Sequence, residues 1–310
     1  MKFRSAFTML ELIFVIVIMG IIGKFGVEFL AQAYKGFIFT NVNNTLQGSS
    51  ATAVEFISIR LQDRIKDSII ARKTSDNSFL ALGSASGTDY DVLEWIGADF
   101  DGFRGNSDAT PNLPNWSGVI DIDASSKTTL SSPETNTTKI DELIKILANY
   151  TVVGDTDINA SALYFVGSSS DIVSGYGWSG AITDQNRTMH PIIDVAGQPT
   201  QFTSTDGNFS EIYEYYKLAW TAYAVVMENY DANTSMGKLV LHYDYQPWNG
   251  DTYLLKADGN ATKSTTIMEN VSTFQFMAIG SLVKIQVCTK SNLLKDEHGD
   301  YSLCKEKTIY

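Results

Sequence analysis

The pattern of apolar and polar positions divides the chain into an apolar run, an amphipathic segment and a long region of short segments. Residues 7–23 contain one ionisable side chain, Glu11, and residues 12–22 have no polar face. As a helix rising about 1.5 Å per residue, this run covers about 26 Å, just short of the hydrocarbon core of a membrane. Residues 24–30 can complete the crossing at the interface. The pattern therefore predicts a transmembrane helix over residues 7–30.

The residues around this run separate several interpretations of an apolar N-terminal segment. Lys2 and Arg4 precede it, and a positive flank stays in the cytoplasm, which places the rest of the chain on the other side. A cleaved secretory signal has small residues after its apolar run, whereas Ser5 and Ala6 come before this one. A plain anchor remains an alternative, but it has no need of Glu11, because a charge inside a membrane is costly and is generally paired or functional.

A second helical pattern follows the membrane segment. Apolar residues recur at three- and four-residue steps from Val54 to Ile69, with charged residues between them, which is typical of an amphipathic helix packed on a core. Residues 40–50 contain three Asn, one Gly and two Ser, which are poor helix formers. Two arrangements fit: one helix from residue 7 to about residue 72, on the order of 100 Å long, or a membrane helix joined to a separate stem helix over residues 31–73.

After residue 73 the sequence changes to short apolar segments separated by turns rich in Gly, Ser, Asn, Asp and Thr. One helical pattern, over residues 139–147, interrupts them. Short apolar segments between turn residues are typical of strands. The predicted strands cover residues 93–96, 118–122, 162–166, 218–226, 238–243 and 282–287. These elements predict an α+β fold, with a long N-terminal helix and a mainly antiparallel sheet over residues 74–310.

Composition disfavours several classes of function. The 310 residues include 23 basic and 35 acidic ones, for a net charge of −12, whereas nucleic-acid binding depends on cationic contacts to phosphate. Three His and two Cys leave little material for a His/Cys metal centre. The G-x-G-x-x-G string at 175–180 lacks the strand and helix that flank a nucleotide-binding loop. With no nucleophile–base pair in view, we predict a protein that is not an enzyme and has no cofactor, metal or nucleic-acid partner.

Two acidic segments, residues 99–102 and 121–123, place Asp residues in alternation. Carboxylate oxygens are the ligands that Ca²⁺ prefers, but neither segment belongs to a full twelve-residue calcium loop. We interpret both segments as solvated turns, with calcium binding as the alternative.

The N-terminal segment resembles the class III signal of type IV pilins and pseudopilins. A basic leader over residues 1–6, then Phe7, Glu11 and Gly20 occupy the positions of that signal. The resemblance implies that prepilin peptidase cleaves between Ala6 and Phe7 and methylates the new amine of Phe7. The family usually has Gly where Ala6 stands, but Ala is common there in pilin-like proteins of Campylobacterota. Removal of the two basic leader residues would change the net charge from −12 to −14.

The same resemblance gives Glu11 a role in assembly. A lone carboxylate in lipid needs a cation or a proton. In a filament, the amine freed at Phe7 of one subunit would meet Glu11 of its neighbour and set the axial register. The order of segments 267–276 and 282–287 also resembles, more loosely, the J-type minor pseudopilin of type II secretion.

These resemblances imply a structural minor pseudopilin or minor pilin that crosses the inner membrane once, with a periplasmic C-terminal domain. Its partners would be other pilin or pseudopilin subunits, prepilin peptidase and the inner membrane assembly platform. The alternative function is a pilus-borne adhesive or ligand-binding module.

Cys288 and Cys304 are the two cysteines of the chain. The periplasm implied by the resemblance is oxidising, and many pilins have a C-terminal loop bounded by a disulfide. We therefore predict a disulfide that ties the tail to the last strand, worth about 3 kcal/mol by loop-closure entropy. Two free thiols are the alternative.

Ten Asn residues lie in N-x-S/T sequons, and six of them have an acid two positions earlier, although 35 acids in 310 residues would place about one there by chance. The extended motif resembles the acceptor of the periplasmic oligosaccharyltransferase of Campylobacterota, which makes these Asn candidate glycosylation sites. Turn chemistry is the alternative, because Asp, Asn and Ser cluster in turns. The six are Asn136, Asn159, Asn186, Asn208, Asn233 and Asn260, and the other four are Asn43, Asn115, Asn149 and Asn270.

Overall fold

A computed structural model describes residues 8–105, 113–151, 155–168, 171–185, 187–296 and 299–310. These residues contain three α-helices: α1 (Met9–Gln62), α2 (Phe100–Arg104) and α3 (Thr137–Leu147). The prediction of an α+β chain with a long N-terminal helix and a mainly antiparallel sheet is confirmed. The helix predicted at residues 139–147 is confirmed as α3.

Helix α1 is uninterrupted over 54 residues, a length of roughly 81 Å. The arrangement as one helix is therefore confirmed, and the alternative of two separate helices is wrong. Hydroxyl groups in the Asn- and Ser-rich segment donate to carbonyl oxygens one turn back. Thr40 Oγ1 donates to Gly36 O at 2.9 Å, and Ser50 Oγ donates to Leu46 O at 2.7 Å. Because these side chains bond within the helix, they do not offer the backbone an alternative to it.

The end of α1 corrects the sequence prediction. The helix ends at Gln62, ten residues before the expected end, and a 3₁₀ turn (Lys66–Ser68) follows. The amide of Ile65 donates to the carbonyl of Ile96 in the sheet at 2.9 Å. The chain thus leaves the helix because its backbone pairs with a strand, while the side chains that continued the helical period enter the core of the sheet.

The described residues contain thirteen strands, and every strand pair is antiparallel. The strands are β1 (Ile70–Arg72), β2 (Phe79–Ala81), β3 (Val92–Gly97), β4 (Thr129–Ser131), β5 (Ala162–Phe165), β6 (Met189–Val195), β7 (Gln198–Ser204), β8 (Tyr216–Ala219), β9 (Thr221–Asp231), β10 (Met236–Tyr245), β11 (Lys263–Ile279), β12 (Leu282–Asp296) and β13 (Gly299–Ile309). An eight-stranded sheet has the order β13-β12-β11-β10-β9-β3-β1-β2, and a five-stranded sheet has the order β4-β7-β6-β5-β8.

Four of the predicted strands lie in β3, β5, β10 and β12. The strand predicted at 118–122 is wrong, because that segment makes only isolated bridges, from Val119 to Tyr215 and from Asp121 to Ser131. The single strand predicted at 218–226 is wrong as well. It is two strands, β8 and β9, which belong to different sheets.

The five-stranded sheet is an insertion between two neighbouring strands of the larger sheet. β3 and β9 pair directly, with Gly97 opposite Thr221. The chain therefore leaves the large sheet and returns to it at adjacent positions. Residues 98–220, which contain α2, α3 and β4 to β8, are called the inserted lobe below.

Three apolar layers hold these parts together. The second half of α1 packs on one face of the large sheet through Ile57 and Leu61. The other face, represented by Ile96, packs against the lobe and its loops, represented by Trp178. Inside the lobe, α3 packs on the small sheet through Ile144. The large sheet is buried on both faces at β1, β3, β9 and β10, and each fully buried aliphatic or aromatic side chain contributes roughly 1.5–3 kcal/mol.

Candidate functional site

The first half of α1 is the candidate membrane and assembly segment. It contains an apolar window long enough to cross a membrane once, and no part of that window is buried inside the protein. Met9 and Ile22, for example, are 83 % and 64 % exposed, whereas Leu46, on the second half of the helix, is 8 % exposed. A continuous apolar surface of this kind needs lipid or other protein to cover it.

The exposed apolar surface continues beyond this window toward the globular region. Phe25, Phe29, Tyr34 and Phe37 are each about two-thirds exposed. One ion pair, Lys24 Nζ to Glu28 Oε1 at 3.9 Å, lies among them at i,i+4 spacing. Aromatic side chains beside charged ones suit the boundary between a bilayer and water, and they also offer contact area to a second helix.

Glu11 takes part in a capping box at the start of α1. The Thr8 amide donates to Glu11 Oε2 at 3.0 Å, and the Glu11 amide donates to Thr8 Oγ1 at 3.4 Å. These reciprocal bonds satisfy two amides that the first helical turn leaves without backbone partners. Our sequence reasoning missed this local role, although Thr8 and Glu11 have the T-x-x-E spacing that signals it.

The predicted cleavage and methylation positions, Ala6 and Phe7, lie outside the described residues. The pairing of Glu11 with the amine of a neighbouring subunit stays a prediction.

Cys288 and Cys304 face each other across β12 and β13, with their Cα atoms 4.0 Å apart, and are joined by a disulfide. The predicted last strand, residues 282–287, is too short and is not the last. β12 runs on to Asp296, and β13 pairs back along it. β13 also contacts α1, since Tyr301 Oη donates to Asn43 Oδ1 at 2.7 Å. The cysteines thus bond the outermost strand of the sheet to its only strand neighbour among the described residues.

Five of the six candidate glycosylation residues are described, and all five are exposed, while Asn186 lies outside the described residues. At four of them the preceding acid accepts a hydrogen bond from the backbone amide of the Asn, which is the geometry of an Asx turn. The pairs are Asp157/Asn159 at 2.9 Å, Asp206/Asn208 at 3.3 Å, Asp231/Asn233 at 2.9 Å and Asp258/Asn260 at 2.9 Å. In these four turns, the backbone conformation by itself accounts for the acidic residue two positions before the Asn. Glycosylation stays a prediction.

The interpretation of Asp99 as part of a solvated turn is wrong. Asp99 is 3 % exposed and caps α2, accepting from the Gly102 amide at 3.1 Å and from Trp116 Nε1 at 3.1 Å. Burial raises the pKa of Asp99 to about 6. Asp121 does lie in an exposed turn, where it accepts from the Ala124 amide at 3.0 Å. In the described part of the chain, no cluster of three or more His, Cys, Asp or Glu side chains could hold a metal ion.

The glycine-rich segment at 175–180 is a loop, as predicted. Gly177 has a φ of +85° and lies against the backbone of the Pro247–Asn249 turn, where an added Cβ would come within 2.4 Å of Trp248 N. Its neighbours Tyr176 and Trp178 are buried in the layer between the large sheet and the lobe. The glycine therefore permits a close backbone approach inside the core.

The histidines occupy separate places. His190 is buried in the lobe, and its Nδ1 is 2.9 Å from Gln185 Oε1. Burial lowers the pKa of His190 to about 4. His242 Nε2 lies 2.7 Å from Glu228 Oε1 on the large sheet. His298 is outside the described residues.

A cleft of about 620 Å³ lies where the inserted lobe joins the large sheet. Its walls come from the last turns of α1, from residues 97–104, and from the start of β9 with neighbouring strands. Asp63, Asp101, Trp220 and Tyr223 are among the lining side chains. Sequence reasoning missed this group because its members come from three segments far apart in the chain and share no motif.

No family model, curated protein or solved structure matches this chain. Its function is therefore argued from its own residues.

Proposed function

We propose that this chain is a structural, non-enzymatic subunit of a type II secretion or type IV pilus-like filament, namely a minor pseudopilin or minor pilin. One observation carries the proposal. A single helix passes without a break from an apolar, fully exposed N-terminal half to a C-terminal half buried on a β-sheet. The exposed half would anchor the chain and pack against other subunits. The sheet and its lobe would form the surface of the assembly.

The end of α1 is held firmly to the sheet, which supports a mechanical role for this helix in an assembly. Arg64, just after its end, is 1 % exposed. Its Nη1 donates to Leu61 O at 2.6 Å and to Tyr310 O at 2.9 Å, and its Nη2 donates to Ser281 O at 3.4 Å. One buried side chain thus links the helix end to the residue that follows β13 and to the β11–β12 turn. Buried charges with several hydrogen bonds are costly to disrupt, so this junction resists separation of the helix from the sheet.

In this proposal, prepilin peptidase cleaves between Ala6 and Phe7 and methylates Phe7. The chain would then cross the inner membrane once, with its C-terminal domain in the periplasm. Cleavage would place a positive amine beside Thr8, at the positive end of the helix dipole, where a cation is unfavourable. A carboxylate is needed there, and Glu11 supplies it, either within the chain or to the neighbouring subunit.

Substitutions at Glu11 and Thr8 separate helix capping from charge pairing. Glu11→Leu removes both, Glu11→Gln keeps a capping side chain but removes the charge, and Thr8→Val removes the capping hydroxyl but keeps the charge. We expect all three variants to insert in the membrane. The two Glu11 variants should enter filaments about tenfold less than the parent, since a charge-assisted hydrogen bond is worth about 1.5–3 kcal/mol. Thr8→Val should assemble nearly normally.

Immunoblots of sheared filaments and of membranes, from cells that build the filament, measure incorporation. The mass of the membrane-bound chain reports leader removal and identifies any variant that is blocked at processing instead. Normal incorporation of Glu11→Leu would refute the proposed assembly role. Normal incorporation of Glu11→Gln alone would assign Glu11 to capping instead of charge pairing.

The second candidate function is a pilus-borne ligand-binding module. The observation that favours it is the cleft at the base of the inserted lobe. Loss of an adhesive subunit would leave filaments intact, whereas loss of a priming subunit would stop their formation.

A further inference from the structure

The cleft where the inserted lobe joins the large sheet contains hydrogen-bond donors that have no acceptor within the described residues. Trp220 is 6 % exposed and lines the cleft, and its indole N–H makes no hydrogen bond to a described residue but is accessible to solvent. Three other buried tryptophans do donate, and the fourth, Trp95, is sealed in the core with its Nε1 unpaired. The donating ones are Trp116 to Asp99 Oδ2 at 3.1 Å, Trp178 to Ser68 O at 3.0 Å and Trp248 to Ala160 O at 2.8 Å. Trp220 differs from all of these because its surroundings open into a cleft.

A second donor lies beside it. Tyr223 lines the same cleft, and its hydroxyl has no hydrogen-bond partner in the described part of the chain. Burial raises the pKa of Tyr223 to about 12; Arg60 opposes this shift, and Asp101, Asp99 and Asp63 add to it. The hydroxyl therefore keeps its proton at neutral pH and can donate it to a ligand.

The cleft also contains acceptors with no donor. The carboxylates of Asp63 and Asp101 form neither a hydrogen bond nor an ion pair with any described residue, and both residues line the cleft, Asp101 as an exposed one. Asp63 is half-buried, and burial together with the charge of Asp101 raises its pKa, while the charges of Lys217 and Arg104 oppose the shift. A partly desolvated carboxylate without a donor is costly, so a ligand that donates to it is favoured.

The charges in the cleft select against a charged ligand. The guanidinium of Arg60 lies 3.8 Å from the centroid of the Phe56 ring, and that of Arg104 lies 5.3 Å from the centroid of the Phe100 ring. All four residues line the cleft together with three aspartates. An anion would meet these aspartates and a cation would meet the two guanidiniums, so neither sign of charge gains a clear advantage.

A hydroxyl group is neutral and both donates and accepts hydrogen bonds, and a sugar carries several hydroxyl groups on one compact ring. Aromatic side chains in the wall provide apolar faces for the C–H side of a sugar ring. The cleft volume of about 620 Å³ lies within the range of small-molecule sites, about 300–1,000 Å³, and such sites often occur between structural units. We propose that this cleft binds a neutral polyhydroxylated ligand, a hexose or a short oligosaccharide. The proposal does not depend on filament assembly.

Binding is tested on the full chain in phosphatidylcholine nanodiscs, because sugar-based detergents would themselves compete for the cleft. Glucose, galactose, N-acetylglucosamine and maltose are titrated and followed by saturation-transfer difference NMR. We expect saturable, millimolar binding of at least one of these sugars. Glucosamine and glucuronate, which add a positive or a negative charge to a hexose, should bind more weakly than the neutral sugar.

Two variants locate the site. Tyr223→Phe removes only the free hydroxyl and keeps the ring that packs on Trp95 at 5.7 Å, and Asp63→Ala removes a free acceptor. Each should weaken binding roughly tenfold, the value of about 1.4 kcal/mol for one good hydrogen bond. Asp123→Ala is the matched control, an exposed aspartate outside the cleft.

Circular dichroism confirms that each variant is folded. The proposal is overturned if none of the four sugars binds saturably, if a charged sugar binds as tightly as the neutral ones, or if both cleft variants bind like the parent.

Discussion

Buried ionisable residues connect strands of the large sheet. Glu94 is fully buried in the middle of β3, where it accepts hydrogen bonds from the Arg72 side chain on β1 and from Tyr245 Oη on β10, the latter at 3.0 Å. Desolvation raises the pKa of Glu94, and the charge of Arg72 partly opposes this. Removing one partner of such a pair leaves a buried charge without a counter-charge, at a cost of about 3–5 kcal/mol.

His190 should make stability depend on pH. Its ring lies between Phe165 at 4.8 Å and Phe209 at 6.3 Å, and its pKa is about 4, against 6.5 for an ordinary histidine. Between pH 6.5 and about 4 the unfolded chain binds more protons than the folded one. The free energy of unfolding should therefore fall as the pH drops through this window, by roughly 3 kcal/mol in full.

His190→Gln isolates this effect. Asp99 acts with the opposite sign, because its pKa is raised to about 6 and protonation stabilises the folded state as the pH falls from 6 to 3.8. The comparison is made between parent and variant, by urea denaturation of the detergent-solubilised chain at pH 7 and pH 4.5. The parent should lose more stability than the variant between these two values. An identical pH dependence would contradict the prediction.

Secondary-structure elements in this chain end where tertiary hydrogen bonds begin. The apolar period of α1 continues to Ile69, but the helix ends at Gln62, because Ile65 pairs with Ile96 in the sheet. The apolar run at 218–226 divides at Trp220, whose carbonyl accepts from Gln246 Nε2 at 2.8 Å. Element types were predictable in both places because they follow local periodicity. The boundaries were not, because they depend on distant partners.

The disulfide should hold β13 on the sheet. The Cys288→Ser, Cys304→Ser double variant should lose about 3 kcal/mol in the free energy of unfolding, the entropic value for a loop of this length. β13 is an edge strand, so trypsin should also cut faster at Lys305 and Lys307 in the variant. Thr308→Ser, an exposed change on the same strand, is the control. A loss below about 1 kcal/mol, within the usual scatter of surface substitutions, would contradict this prediction.

The inserted lobe covers one face of β1, β3, β9 and β10 in the large sheet. Val92, Ile96 and Val226 on that face pack with Trp178 and Trp248 in one buried cluster. The lobe begins and ends at adjacent positions, so the chain could bypass it without stretching. The two sheets nevertheless share a core, which makes them one folding unit despite the simple insertion.

Excision of the lobe should therefore destabilise the large sheet that remains. A variant that joins Gly97 to Thr221 through Asn-Gly, a turn suited to a two-residue hairpin, keeps the strand register but uncovers the apolar face. Each exposed side chain would cost roughly 1.5–3 kcal/mol. We expect aggregation or dye binding to exposed apolar surface, measured by size exclusion and by fluorescence of 1-anilinonaphthalene-8-sulfonate. A monodisperse variant that unfolds cooperatively would show that the sheet stands alone.

The sequence by itself determined the apolar helix, the α+β class and α3, because each is recorded in a local period of apolar residues. It also contained the T-x-x-E signal at Thr8 and Glu11. Only the tertiary structure decided where α1 ends, how the lobe is inserted, and that Asp63 and Trp220 line one cleft. Those outcomes depend on contacts between distant residues, 31 positions apart for Ile65 and Ile96 and 124 for Gly97 and Thr221. Local periodicity carries no information about such contacts.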